Sequence, residues 1–297
     1  LAGQKFNCPL KPKTDRKVRK VLRLGTSGFS FKDWIGPVYP PGIKPPEMLK
    51  YYEKDLGFDT LEVNFTYYSL PSVRSFEGMA RKTSKNFEFV VKANRGMTHD
   101  MINTDTWTLE DNSQVFEKFN FSLTPLKESG KLGCVLAQFP PFFYPKKETM
   151  DYMLTFKERM GEVPVVVEFR NKAWLKESVF QFLQKNDLGY CIVDEPQLPG
   201  LMPYQSRATT DIGYFRFHGR NRNWFNVPAA ERYNYLYSEE ELRRFVPDIK
   251  RIAKETSKAY IFFNNCHAGK AAKNAEMMKK LLGLVTEYTG KQTELGL

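Results

Sequence analysis

The sequence predicts an α/β fold, a closed (β/α)8 TIM-type barrel with some irregularity. An open doubly wound sheet is the structural alternative. Three observations carry the prediction. Eight apolar segments bounded by turn residues read as strands buried on both faces, as in a parallel sheet. One-sided helical patterns fill several of the gaps between them. The strand starts fall 25 to 46 residues apart, close to the roughly 30 residues that each unit of a barrel of ordinary size takes.

In order, the predicted strands are VLRLG (21–25), DTLEVN (59–64), FEFVVK (87–92), GCVLAQF (133–139), VPVVVEF (163–169), LGYCIVD (188–194), GYFRF (213–217) and AYIFFN (259–264). Helices are predicted over 175–183 from Leu175, Val179, Phe182 and Leu183, and over 239–254 from Leu242, Phe245, Val246, Ile249 and Ala253. A third is predicted over 271–285 from Ala271, Ala275, Met278, Leu282 and Val285. Each stripe reads as core. No linker, low-complexity run or repeat divides the chain after residue 20, so one barrel domain over 21–290 follows a basic flexible tail, 1–20.

Composition bounds the function. Of 297 residues, 41% are hydrophobic and 27% charged, which excludes global disorder. The formal net charge of +11 raises a nucleic-acid reading, but residues 1–20 hold seven Lys or Arg and one acid, leaving +5 for the rest. No nucleic-acid motif supports that reading, and a solvated tail explains the charge more simply. Cys8, Cys134, Cys191 and Cys266 form no C-x-x-C pair. Scattered thiols of this kind suit a reducing compartment, so a cytoplasmic protein with no membrane span is expected.

In a parallel barrel every strand delivers its C-terminal end to one face, where active sites form. The polar residues there are Thr26 and Ser27, Glu62 and Asn64, Lys92 with His99 beyond it, Gln138, Glu168 and Arg170, Asp194 and Glu195, Arg216 and His218, and Asn264 and Asn265. Glu62/Asn64, Glu168/Arg170 and Arg216/His218 are each two apart, so both members of a pair face one side. Desolvated charges in such a mouth must be paired or serve a ligand. Ion pairs that merely plug the barrel are the bland reading for any single residue. The recurrence of polar strand ends on all eight units favours a ligand site. No cofactor is predicted and no zinc motif occurs, although Glu62, Glu168, Asp194 and His218 could together ligate a divalent ion. The helix after Asn264-Asn265-Cys266-His267-Ala268-Gly269 would offer free N–H groups to an anion.

Seven ordered blocks resemble the DUF72 (YecE-like) family: LGTSGFSFKDW (24–34) followed by Tyr39-Pro40, LEVNFTYYSLP (61–71), FEFVVKAN (87–94) with Thr98-His99, LAQFPPFF (136–143), VEFRNKAW (167–174), YFRFHGR (214–220) and FFNNCHAGKAAKNA (262–275). The resemblance covers about residues 22–285. It implies a TIM barrel and no settled activity. Ala173 stands where family members commonly carry Ser, and 221–231 departs from the pattern.

The expected function is an enzyme acting on a small polar or anionic substrate by hydrolase-type acid/base chemistry. Glu168, Asp194, Glu62, Lys92 and His218 are the catalytic candidates. Asn64, Tyr67, His99, Gln138, Arg170, Trp174, Arg216, Asn264 and Asn265 are the substrate-binding candidates. A Schiff-base role for Lys92 is a further option. A metabolite-binding module without chemistry and a nucleic-acid-binding or -processing protein are the alternatives.

Overall fold

A computed structural model of the chain describes residues 20–106 and 108–284. The predicted tail up to residue 19, with Cys8, and the end of the third predicted helix at Val285 lie outside the described residues, as do residues 286–290 of the predicted domain.

All eight predicted strands form. They are β1 (Val21–Thr26), β2 (Thr60–Val63), β3 (Glu88–Lys92), β4 (Leu132–Gln138), β5 (Val165–Glu168), β6 (Leu188–Asp194), β7 (Ile212–Phe217) and β8 (Lys258–Phe263). They pair in parallel in the order β1-β8-β7-β6-β5-β4-β3-β2. A single parallel bridge, Ser27 to Glu62, joins the two ends of that order and leaves the barrel nearly closed. Gly25 is required at this seam, because a Cβ there would lie 2.2 Å from the Thr60 carbonyl oxygen.

Period-two alternation gives the barrel two cores. Val90, Cys134, Leu136, Val166, Cys191, Val193, Tyr214, Tyr260 and Phe262 fill the interior. Their strand neighbours, including Phe89, Val135, Val167, Ile192, Phe215 and Ile261, pack outward under the helices. The interior is floored by Glu88, which accepts from Lys258 Nζ at 2.7 and 2.8 Å, from Arg23 at 3.2 Å and from the Tyr260 hydroxyl.

The helical layer departs from the sequence reading in detail. The stretch predicted as one helix over 239–254 is two, Glu239–Arg243 and Val246–Glu255. Pro247 cannot donate to the preceding turn, so it sits at the start of the second. The helix predicted over 175–183 is Glu177–Lys185, after a short 3-10 turn at Lys172–Trp174. The last helix is Lys270–Leu282, closed by Gly283 at φ 72°. After β3 the chain adds an unpredicted antiparallel pair, Ile102–Asn103 with Thr108–Leu109. Strands of two residues show no alternation to read. No described helix is long and apolar enough to cross a membrane.

Candidate functional site at the C-terminal mouth

Strand register assembles the mouth. Gln138 is level with Glu168, and Arg216 is level with both Val193 and Phe262. Interior parity then carries Glu62, Lys92, Gln138, Glu168, Arg216 and His218 to the same end, above Leu136, Val166 and Tyr214.

Arg216 is the hub. Its Nε and Nη2 donate to Glu62 Oε2 and Oε1 at 2.9 and 2.6 Å, while Nη1 donates to Glu168 Oε2 at 2.5 Å. Tyr214 adds a hydroxyl bond to Glu62 Oε2 at 2.6 Å. Arg170 Nη2 lies 2.7 Å from Glu168 Oε1, and its Nη1 donates to Glu195 Oε2 at 2.8 Å. Glu195 Oε1 accepts from the Met202 amide at 2.7 Å. Desolvation opposes each charge, and the mutual pairing answers it. Burial would raise Glu168, but Arg170 and Arg216 hold it well below the usual carboxylate range. Glu168 is therefore ionised at any working pH.

His218 is wholly buried above this network. Burial first, and the Arg170 charge second, push it down to about 3, so the imidazole is neutral. Its Nε2 lies 3.2 Å from Glu168 Oε1 and 3.1 Å from Arg170 Nη2, and its Nδ1 lies 2.9 Å from Asn264 Nδ2; the Nε2–H tautomer is the one that serves Glu168 and Asn264 together.

Lys92 sits differently. Its Nζ donates to Gln138 Oε1 at 2.8 Å and lies 4.4 Å from the centre of the Tyr67 ring. It has no carboxylate partner among the described residues. Burial and then the Arg216 charge lower it to about 7, against a smaller opposing pull from Glu168. Tyr67 meets the His99 ring edge-on at 5.1 Å. His99 is lowered to about 4, by burial and then by Lys92.

The mouth thus has two tiers. Glu62, Glu168, Glu195, Arg216 and His218 are buried. Asn64, Tyr67, Lys92, His99, Gln138, Arg170 and Asn264 are partly exposed above them. A ligand entering the mouth meets Lys92 and Arg170 before any carboxylate, because the Arg170 side chain is 12% exposed and that of Glu168 is 0% exposed. Three buried polar atoms here have no hydrogen-bond partner: Ser27 Oγ, Asn64 Oδ1 and Arg170 Nε. The other unpartnered buried atoms among the described residues, Arg23 Nε, Asn120 Oδ1, Tyr190 Oη and Asn265 Oδ1, lie outside this group.

Three of the predicted site residues stand elsewhere. Asp194 has outward parity and binds Arg220 at 2.7 to 3.2 Å and the Tyr237 hydroxyl at 2.6 Å, outside the barrel interior. Glu195, the acid beside it, is the one that faces the cluster. The alternation Cys191, Val193, Glu195 signals this, but the uniform burial of β6 hides it from sequence reading. Trp174 belongs to the outer wall, stacked on Phe169 at 4.3 Å with its Nε1 bonded to the Phe143 carbonyl. Asn265 also faces outward, to the Tyr235 carbonyl and Asn274. Tyr214 is an addition that sequence reasoning missed, and Ser27, read at the end of the first strand, was not among the site candidates.

At the turn after β8, where free N–H groups are expected, one amide is already taken. Asp33 Oδ2 already accepts from the Ala268 amide at 2.6 Å. Among the described residues no three His, Cys, Asp or Glu side chains group as a metal site requires. Two grooves of about 660 and 580 Å³ lie on the helical flank, one beside Phe121 and Pro125, the other beside Arg159 and Pro164, and involve none of the mouth residues.

Comparison with known proteins agrees with this architecture. The family model described as protein of unknown function DUF72 matches residues 23–295. The chain is 32% identical over 282 residues to the UPF0759 protein YunF of Bacillus subtilis, covering 91% of this chain and 97% of that protein. It is similar to the crystal structure of a DUF72 family protein from Thermotoga maritima, with 44% identity, a TM-score of 0.82, and coverage of 89% of this chain and 99% of that one. A DUF72 family protein from Enterococcus faecalis matches with 27% identity and a TM-score of 0.78, over 92% of this chain and 100% of that one.

Proposed function

The chain belongs to the DUF72 family of proteins of unknown function, and from the geometry of its mouth we propose an enzyme acting on a small anionic substrate, with Lys92 exchanging the proton. The observation that carries this reading is the Lys92 amine. It is a basic group with one neutral partner, half-deprotonated near pH 7, in the accessible tier of the mouth. A group poised near the working pH is the efficient general acid or base.

The other residues suit supporting roles. Arg170 presents a cationic edge with a free Nε, and Asn64 Oδ1 and Ser27 Oγ are unfilled acceptors at the same end. Tyr67 and His99 wall the amine. Glu168 is less suited to donating a proton, because both its oxygens are engaged and its charge is held on by two guanidiniums. Its role in this reading is to fix Arg170, Arg216 and His218. Hydrolase-type chemistry then runs through Lys92 rather than through a carboxylate pair.

The test is a screen of small anionic metabolites by thermal shift, with hits followed for conversion by NMR. Conversion by the wild type, lost in Lys92→Met and rising through about pH 7, is the expected result. A hit converted equally well by Lys92→Met would overturn the proposal. Hits that bind at the mouth and are never converted by the wild type would instead establish the binding-module reading.

A further inference from the structure

The partly buried lysines of this chain are not alike. Lys258 rests on both oxygens of Glu88 at 2.7 and 2.8 Å. Lys131 donates to three oxygens, Ala80 O, Thr83 O and Thr83 Oγ1, at 2.5 to 3.0 Å. Both environments are built for an ammonium group with three donors. Among the described residues Lys92 Nζ donates one hydrogen bond, to a neutral amide, and lies over the face of Tyr67. The guanidiniums of Arg216 and Arg170 add like charge nearby. The surroundings favour a free amine, whose lone pair is available to an electrophile.

Resting on the enzyme reading above, we propose that Lys92 is a nucleophile that captures the carbonyl carbon of an anionic carbonyl substrate, of the 2-oxo acid class, as an imine. The Nζ lone pair forms the C–N bond, and the carbonyl π pair moves to oxygen, which takes a proton. Nitrogen loses one proton to give the carbinolamine; its lone pair then forms the C=N bond as the C–O bond breaks, the hydroxyl leaves as water with a second proton, and nitrogen loses its remaining proton. The balance is amine plus carbonyl to imine plus water, with no oxidant or reductant. Tyr67 and His99 stand beside the amine. The His99 Nδ1 is engaged by Thr98 Oγ1 at 2.9 Å. Arg170 sets the class of substrate, since its unpartnered Nε is the donor for the carboxylate.

The experiment uses the full chain, pyruvate as probe and sodium cyanoborohydride to reduce any imine, at pH 7, with the adduct located by peptide mass mapping. An alkylamine free in water, with a value of about 10.4, is almost wholly protonated at that pH and reacts slowly. The expected result is one adduct, on Lys92, forming at least about tenfold faster than on the exposed lysines by the ratio of free amine. Its rate should have a midpoint near pH 7, fall in Arg170→Met and be slowed by lactate, which carries the carboxylate without the carbonyl. Lys92→Arg should leave only the slow background. Should Arg170→Met fail to fold, lactate protection on the wild type decides the carboxylate assignment. Labelling of Lys92 no faster than exposed lysines overturns the imine. If Lys92→Met still abolishes a conversion found by screening, the acid–base reading survives that failure.

Discussion

Arg216 and Lys92 occupy the same mouth and should respond to mutation in opposite ways. Removing Arg216 leaves Glu62 buried with only the Tyr214 hydroxyl, while Glu168 keeps Arg170 and His218. Arg216→Met should therefore cost about 3–5 kcal/mol of stability, the usual penalty for breaking a buried ion pair from one side. Urea denaturation checks this, and a loss below about 1 kcal/mol would mean that the carboxylates find water or other partners. For Lys92 the sign reverses. Its folded value, about 7, lies below the ordinary 10.5. The unfolded chain thus binds more protons between those values, and stability rises with pH across that window. Below about 7 the full penalty of the buried ammonium is present; above about 10.5 it is gone. Lys92→Met should accordingly stabilise the protein, more at pH 6 than at pH 9. Equal shifts in melting temperature at the two pH values would contradict the depressed amine. Much of this tier was legible in the sequence, because residues two apart on a strand share a side whatever the register. The Asp194 and Glu195 pair was not, since a strand buried at all seven positions gives no parity signal.

At the scale of elements, the barrel depends on one narrow seam. β1 and β2 meet through the bridge at Ser27 and Glu62 and through the contact of Gly25 with Thr60. Gly25→Ala would drive a methyl group into a carbonyl oxygen at 2.2 Å, and backbone has no rotamer by which to yield. A loss of about 1–3 kcal/mol is expected, as for other overpacked sites. Gly78→Ala supplies the contrast. It lies inside the helix Val73–Lys82 with nothing within 4 Å of a new Cβ, so it should stabilise by about 0.5–1 kcal/mol. Chemical denaturation of both variants separates steric closure from a general intolerance of alanine; comparable losses would refute the seam. Gly25 reads as a turn residue in the sequence, and only the partner strand reveals why it must be small. The strands themselves were legible because burial on both faces leaves continuous apolar runs. The helical layer was legible in its faces but not in its breaks: the apolar stripe over 239–254 continues across Arg244 and Phe245, while the helix does not.

Across the whole molecule, the mouth network joins strands distant in sequence. Glu62 belongs to β2, Glu168 and Arg170 to β5 and its end, Glu195 to the end of β6, Arg216 and His218 to β7 and its end, and Asn264 to the end of β8. Arg216 bonds span 154 and 48 residues of chain. No half of the barrel can satisfy its buried charges alone: β2 holds an acid whose base is on β7, and the bases of β5 and β7 share Glu168. Detaching either half would strand a buried charge at several kcal/mol. The barrel is therefore expected to unfold as one cooperative unit, although chains of this size often populate intermediates. Far-UV circular dichroism reports all strands and helices, while Trp34, Trp174 and Trp224 report three separate sectors by fluorescence. Their denaturation curves should coincide, as a two-state transition requires. Arg216→Met should do more than shift the midpoint. With its hub removed, β2 loses its tie to β7, and the seam with β1 becomes the weakest contact. Separation of the Trp fluorescence and circular dichroism transitions in that variant is the expected sign. Separated transitions in the wild type would show that the halves are stable without the shared charges, and would sink the idea that the mouth holds the barrel together.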